Sequence, residues 1–428
     1  MAISAPGPTD ADIRNPDTFV EGFPHATFER LRSEDRVSWC DEEEGSGFWS
    51  VTRYHDLVTV SRNPHLFSNA QGVTLEEMAP DDFEARRNML EYDAPEHTRY
   101  RRLVSKPFNR REVWAYENGL RLLARGVVDE ALPSGTTTTL DFTEDIAKQL
   151  PMRMLGRLLG VPDSDGPWLV ERGDALLGNL DPEMTEFPVG LIDTDEFKSM
   201  PFRSPAGLDL YRYAKRQAEL RRDNPTDDVI SDLLAVTTDG ERLTELEFKN
   251  FFTLLVGAGN ATTRYTMAAG MKALAEHPDQ LAKVRAAIGD DSPDAKEIIN
   301  RTVEEILRWG TVTMNFRRTA TQDTDLAGRS IRAGQKVLIW FTSADYDSDV
   351  FDDPYRFDID RWPNDHVAFG RMSPHLCLGA HLARLEIRVL FEELLPRLES
   401  VAVAGPVERL RSNFISGIKH LPMTFTVR

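Results

Sequence analysis

HVAFGRMSPHLCLGAHLAR, His366 to Arg384, carries one of only two cysteines in a chain of 428 residues. Gly370, Ser373 and Pro374 precede Cys377, and a helical pattern, LGAHLARLEIRVLFEELL, follows it. A sulfur at the mouth of a helix meets free N–H groups and the positive end of the dipole, which favour a thiolate. Four uses are open to it. It could be a small buried hydrophobe or a nucleophile, although His375 is a poor base at a spacing of two. It could be a zinc ligand beside His375 and His381, but no second ligand pair stands at finger-like spacing. It could also be the single axial thiolate of a haem iron, which needs only one sulfur among small residues.

The rest of the composition narrows the partners. Hydrophobic residues make up 41% and charged residues 28%, the profile of a globular chain with a large core. A net charge of −19 argues against nucleic acid or an anionic membrane surface as a general partner. Cys40 and Cys377 cannot form a disulfide framework, so a reducing cytoplasm is expected. MAISAPGPTDADIRN has no apolar stretch for a signal peptide, and no apolar run approaches the ~18 residues needed to span a bilayer.

No repeat or linker divides the chain, so a single domain over 1–428 is expected, mainly α with a smaller β-rich lobe. Helix is expected mostly over 90–310 and 378–398, and strands mostly over 30–70, 311–345 and 400–428. VSWCDEEEGSGFWSVTRY reads as two strands around a Gly-rich turn. Residues 178–207 hold four prolines and little periodicity, as a lid or binding loop does. A long helix is expected from Glu245 to Glu276. Thr244 and Glu247 form its capping box, and His277-Pro278 ends it. Inside it, LLVGAGNATTRYTM places two glycines and two adjacent threonines in mid-helix, where each glycine costs ~1 kcal/mol relative to alanine. Either packing or a close approach to the backbone must explain them.

Six segments follow one another: HTRYR (97–101), AGNATT (258–263), EEILR (304–308), FRRTA (316–320), FDIDR (357–361) and FGRMSPHLCLG (369–379). In this order they resemble the cytochrome P450 family, the haem-thiolate monooxygenases, from about Asp93 to the C-terminus. The Glu-x-x-Arg spacing of Glu305 and Arg308 recurs at Glu84/Arg87 and Glu408/Arg411, so its place between the long helix and the cysteine loop carries its meaning.

The resemblance implies the family's triangular prism, with heme b (iron protoporphyrin IX) between the long helix and the cysteine loop. It makes Cys377 the proximal thiolate, with Phe369 in its loop. It assigns His97, Arg101, Arg318 and His375 to the haem propionates, with Arg317 facing elsewhere. It makes Glu305 and Arg308 a structural ion pair tied to the stretch near Arg361. Ala258 and Gly259 open room for dioxygen, Thr262 hydrogen-bonds it or its water, and Thr263 back-bonds to the helix. The pocket is expected from Leu255, Ala258, Thr262, Val312, Met314, Ile415, the loop from Asn69 to Met89 and the lid.

Two positions depart from the family pattern. Ala261 replaces the usual acid before the threonine, which puts proton supply in question and leads to the expectation that Ala261→Glu or Ala261→Asp raises coupled turnover. The cysteine loop is one residue longer than usual, with Ser373 where glycine is common, as in relatives that oxidise steroids and methyl-branched lipids. The expected activity is hydroxylation of an apolar terpenoid, steroid or branched lipid with O2 and two electrons. Those electrons would come from an acidic ferredoxin and its reductase, docking near Arg102, Arg110 and Arg111. Peroxide-driven oxidation, oxidative coupling, and a non-catalytic ligand sensor are the alternative readings.

Overall fold

The structure, a computed structural model, describes residues 7–43, 45–236 and 240–428. Residues 1–6 of the stretch read for a signal peptide lie outside them. Among the described residues, no helix is long and apolar enough to cross a membrane.

The long helix spans Glu245–Glu276. The Thr244 hydroxyl accepts from the Glu247 amide at 3.2 Å, and the Glu247 carboxylate accepts from the Thr244 amide at 2.7 Å. These bonds satisfy two donors that a helix start leaves open. The helix runs through the main core, crossed by Gly166–Leu177 and flanked by Pro205–Asp223 and Pro293–Trp309. At the first crossing, a Cβ on Gly173 would lie 3.0 Å from the Val256 carbonyl oxygen, so glycine lets the two backbones meet.

The strands are β1 Val37–Cys40, β2 Phe48–Val51, β3 Phe67–Ser68, β4 Thr137–Asp141, β5 Asn315–Ala320, β6 Thr324–Leu326, β7 Arg329–Ile331, β8 Lys336–Trp340, β9 Leu398–Val403, β10 Glu408–Arg409, β11 Ile418–His420 and β12 Pro422–Val427. Five form one sheet in the order β1-β2-β8-β5-β3, with β2 and β8 parallel and the other neighbours antiparallel. Its apolar faces build two smaller cores, one of them around Phe28, Phe48, Leu338 and Trp340.

The lobes are less separate than the sequence pattern implies. β4 lies inside the stretch expected to be helical and pairs with β12, which also pairs with β9. Leu398, Met423, Phe425 and Val427 of that sheet belong to the same core as the helices. Residues 178–207 remain mostly irregular, with short turns at Asp195–Phe197 and Pro201–Arg203, and the next helix begins at Pro205.

Candidate active site

The loop that presents Cys377 is fixed by two adjacent acids of the helix Pro293–Trp309. Glu304 accepts from Arg384 at 2.6 and 2.8 Å and meets the His366 ring nitrogen at 2.9 Å, which ties the loop to the helix after it. Glu305 accepts both arms of Arg308 at 2.7 and 2.8 Å, with neither side chain exposed. Its remaining lone pairs take Asn364 and the Asp358 amide, each at 3.0 Å, and Arg361 lies 3.2 Å away. Arg308 also donates to the carbonyls of Asp345 and Pro354. A buried ion pair is tolerable only when its spare donors and acceptors are met in this way.

Within the loop, Gly370 and Met372 adopt positive φ, and the Ser373 hydroxyl accepts from the His375 amide at 3.1 Å. The left-handed turn thus falls one residue earlier, and the serine caps the loop. Cys377 borders two cavities, one towards the long helix and one on the opposite side. Desolvation of the sulfur by the surrounding protein raises its thiol pKa, although the residue is exposed where it borders the cavities. The Gly379 and Ala380 amides and the charges of Arg101 and Arg384 oppose that rise.

The first cavity is walled on one side by Cys377, Phe369 and His375 and on the other by Leu255, Ala258, Gly259 and Thr262. His97, Arg101, Arg318, Val312 and, from the loop between Asn69 and Met89, Asn69, Val73 and Met89 complete the part foreseen from sequence, whereas no described residue of the expected lid, 178–207, lines this cavity. Strand alternation aims Arg318 into the cavity while its neighbour Arg317 turns to the Glu76 carbonyl at 3.2 Å.

The chemistry of these donors fits a planar group bearing two carboxylates. The rings of His97 and His375 stand 4.0 Å apart, with one nitrogen of each buried and unpartnered. Burial, reinforced by His97, Arg318 and Arg101, lowers the His375 pKa to about 2, and burial lowers Arg318 to about 10. Asp93 offsets part of the charge on Arg318 and His97, and the group as a whole still presents donors to the cavity, as anion-binding donors do.

Three foreseen residues lie elsewhere. Met314 is fully buried in the sheet core with Phe48 and Trp340. Ile415 and Ala261 belong to an apolar cluster with Leu177, Tyr265, Val312 and Leu410. Ala261 sits about 100° around the helix from Thr262 and about 160° from Gly259, at ~100° per residue. An acid there would face apolar side chains, not the cavity. Back-bonding also differs from expectation: the Thr262 hydroxyl donates to the Ala258 carbonyl and that of Thr266 to the Thr262 carbonyl, each at 2.9 Å. Thr263 shows no such bond among the described residues.

Glu386 is the group the sequence reading missed. It lies on the cavity wall, and burial alone raises its pKa to about 8. Its spacing was the signal: it precedes the buried Val389, Leu390 and Leu394 by three, four and eight residues, on the apolar face of the helix.

A single thiolate at a helix start, facing a helix wall of small residues and a threonine across an apolar cavity ringed by cationic donors, defines a haem-thiolate enzyme. The chain belongs to the cytochrome P450 family. The Cytochrome P450 family model matches residues 210–413. The chain is 35% identical to the steroid C26-monooxygenase of Mycobacterium tuberculosis, over 98% of this chain and 94% of that one. It is 36% identical to the methyl-branched lipid omega-hydroxylase of the same species, over 93% and 90%. Among solved structures, the Mycobacterium marinum cytochrome P450 CYP268A2 in complex with pseudoionone matches with a TM-score of 0.82 and 37% identity, over 94% of each chain. This chain is a cytochrome P450 monooxygenase whose cofactor is heme b.

Proposed function

We propose that this P450 hydroxylates an apolar small molecule of the steroid, terpenoid or branched-lipid type, using O2 and two electrons from an acidic ferredoxin. The observation that carries the reading is the cavity itself. Between Cys377 and Thr262 its wall is mostly apolar, from Leu254, Leu255, Val312 and Phe316 among others. The relatives named for steroids and methyl-branched lipids support that substrate class.

Cys377 would hold the haem iron, and His97, Arg101, Arg318 and His375 would hold its propionates. Bound there, the haem supplies the redox chemistry that activates dioxygen. The apolar wall excludes water and orients the substrate. The Thr262 hydroxyl, donating to the Ala258 carbonyl, keeps its lone pairs towards the cavity and can accept and pass a proton. Glu386, neutral at pH 7, lies on the Cys377 side of the cavity, on the helix that follows the cysteine, across from Thr262.

The proximal side supports the electron donor. Asn109 lines the cavity beneath Cys377, exposed Arg110 and Arg111 follow it, and the charge of Arg110 reaches His381 on that cavity wall. Arg102 is paired with Glu241, so Arg110 and Arg111 carry more of the docking charge. The test is substrate-dependent consumption of O2 and reduced nicotinamide with a surrogate ferredoxin and reductase, with the hydroxylated product identified. Product formed from peroxide alone, with none from the reductase system, would favour the peroxide-driven reading.

A further inference from the structure

Beside the cavity lies the apolar cluster of Leu177, Ala261, Tyr265, Val312, Leu410 and Ile415, and two lid residues, Met184 and Phe202, pack into it. The two spaces are neighbours. Val312 belongs to both, and Phe316 on the cavity wall packs against Phe414 of the cluster with ring centroids 5.5 Å apart. Ala261 directly precedes Thr262, and Ile415 pairs with Thr313 of the cavity wall.

Phe202 is held there in an unfavourable backbone. It has φ 54° and ψ 24°, and Arg203 follows with φ 50°, so two successive residues with a Cβ occupy the left-handed region. Such a pair persists only where its surroundings hold it. The Phe202 ring also packs against the main core, and polar contacts help to hold the backbone. The Asn179 amide donates to the Phe202 carbonyl at 2.8 Å, and Arg203 donates to Asp195 at 2.7 Å and lies 3.9 Å from Glu76.

We propose that Phe202 is a displaceable stopper that sets the length of the molecule this enzyme accepts. A short apolar ligand fits the cavity with Phe202 seated. A longer one places its far end among Leu177, Val312 and Ile415 by pushing Phe202 out, which also frees residues 202 and 203 to relax to negative φ. Small Ala261 then serves to keep the wall of that space apolar. The proposal rests on reading the cavity as the site of an apolar substrate, and it adds the residue that limits substrate length.

The test uses the haem-loaded full chain and n-alkylimidazoles of increasing length, whose imidazole binds the iron while the tail probes the pocket, with affinity read from the Soret shift. Each methylene buried without obstruction is worth about fourfold in affinity. Wild type should follow that gain for short tails and lose it at the length that meets Phe202. In Phe202→Ala the gain should continue, while short tails bind as in wild type. Asn179→Ala, which removes a tether without touching the cavity, should shift long-tail affinity the same way, and it decides the matter if Phe202→Ala does not fold. Equal effects on all lengths, or none, overturn the stopper. If no tail of any length gains affinity, the apolar reading of the cavity fails and the stopper falls with it.

Discussion

The rings of His97 and His375 face each other at 4.0 Å, with the Nε2 of the first and the Nδ1 of the second both buried and without a hydrogen-bond partner among the described residues. Arg101 and Arg318 join them on the same wall. Orphaned buried donors cost stability unless a ligand meets them, so this cluster is organised around the haem carboxylates. Arg318→Leu should speed haem loss to apomyoglobin by roughly 10–100-fold, the scale of a charge-assisted hydrogen bond worth ~1.5–3 kcal/mol. Arg317→Leu should leave haem loss unchanged, because Arg317 turns to the loop near Glu76.

The pair of Glu305 and Arg308 should dominate folding. Removing Glu305 strands Arg308 as an unpaired buried charge, at a cost of ~3–5 kcal/mol, and removing Arg308 leaves Glu305 with only Arg361, at 3.2 Å, as an ion-pair partner among the described residues. Glu305→Gln and Arg308→Leu should each sharply lower the yield of folded, haem-containing protein and its thermal midpoint, measured by calorimetry. Lys283→Ala, which breaks the exposed pair with Asp360, should change little.

Glu386 gives a pH dependence of stability with a defined sign. Its folded pKa is raised by burial from 4.5 to about 8. Between those values the unfolded chain has lost the proton and the folded chain keeps it, so stability falls as pH rises through that window. The slope approaches ~1.4 kcal/mol per pH unit and levels off above the folded pKa. Glu386→Gln should flatten this profile in thermal scans of the haem-free protein from acid to mild alkali.

Ala261 separates two routes for the proton. Its side chain packs among Leu177, Val312 and Ile415. Ala261→Asp should therefore lower the thermal midpoint by burying a carboxyl without a partner, and it should not improve coupling. A rise in coupling with unchanged stability would show that position 261 reaches the proton path after all.

The parts of the molecule that were legible in the sequence obey local rules. The capping box at Thr244 and Glu247 fixed one end of the long helix, and His277-Pro278 the other. FRRTA read as a strand, and the family resemblance separated Arg318 from Arg317; the alternation of that strand turns the two to different sides. The misses came from tertiary context. Thr136 to Asp141 carries β-branched residues suited to a strand, but its partner β12 lies 281 residues on in register, Asp141 against Pro422. Spacing alone placed Ala261 beside Thr262 in the chain, whereas helical geometry turns it to another face. Met314 alternates towards the sheet core, which only the completed sheet reveals. Glu386 could have been found from its place on an apolar stripe.

The docking face makes a kinetic claim. Charge reversal at Arg110 and Arg111 should slow reduction by an acidic ferredoxin roughly tenfold at low salt and less at physiological salt, where charges are screened over ~8 Å. Substrate affinity should not move. Stopped-flow reduction at two ionic strengths separates the two effects.

The central claim is that Cys377 supplies the thiolate. Burial pushes the pKa of the other cysteine, Cys40, up to about 12 in strand β1, far from the form that binds metal. The most direct measurement is the absorption of the reduced, carbon monoxide-bound protein in wild type, Cys377→His and Cys40→Ala. The band of thiolate-ligated haem should be present in wild type and Cys40→Ala and absent in Cys377→His. Its persistence in Cys377→His, or its loss in Cys40→Ala, would contradict the account.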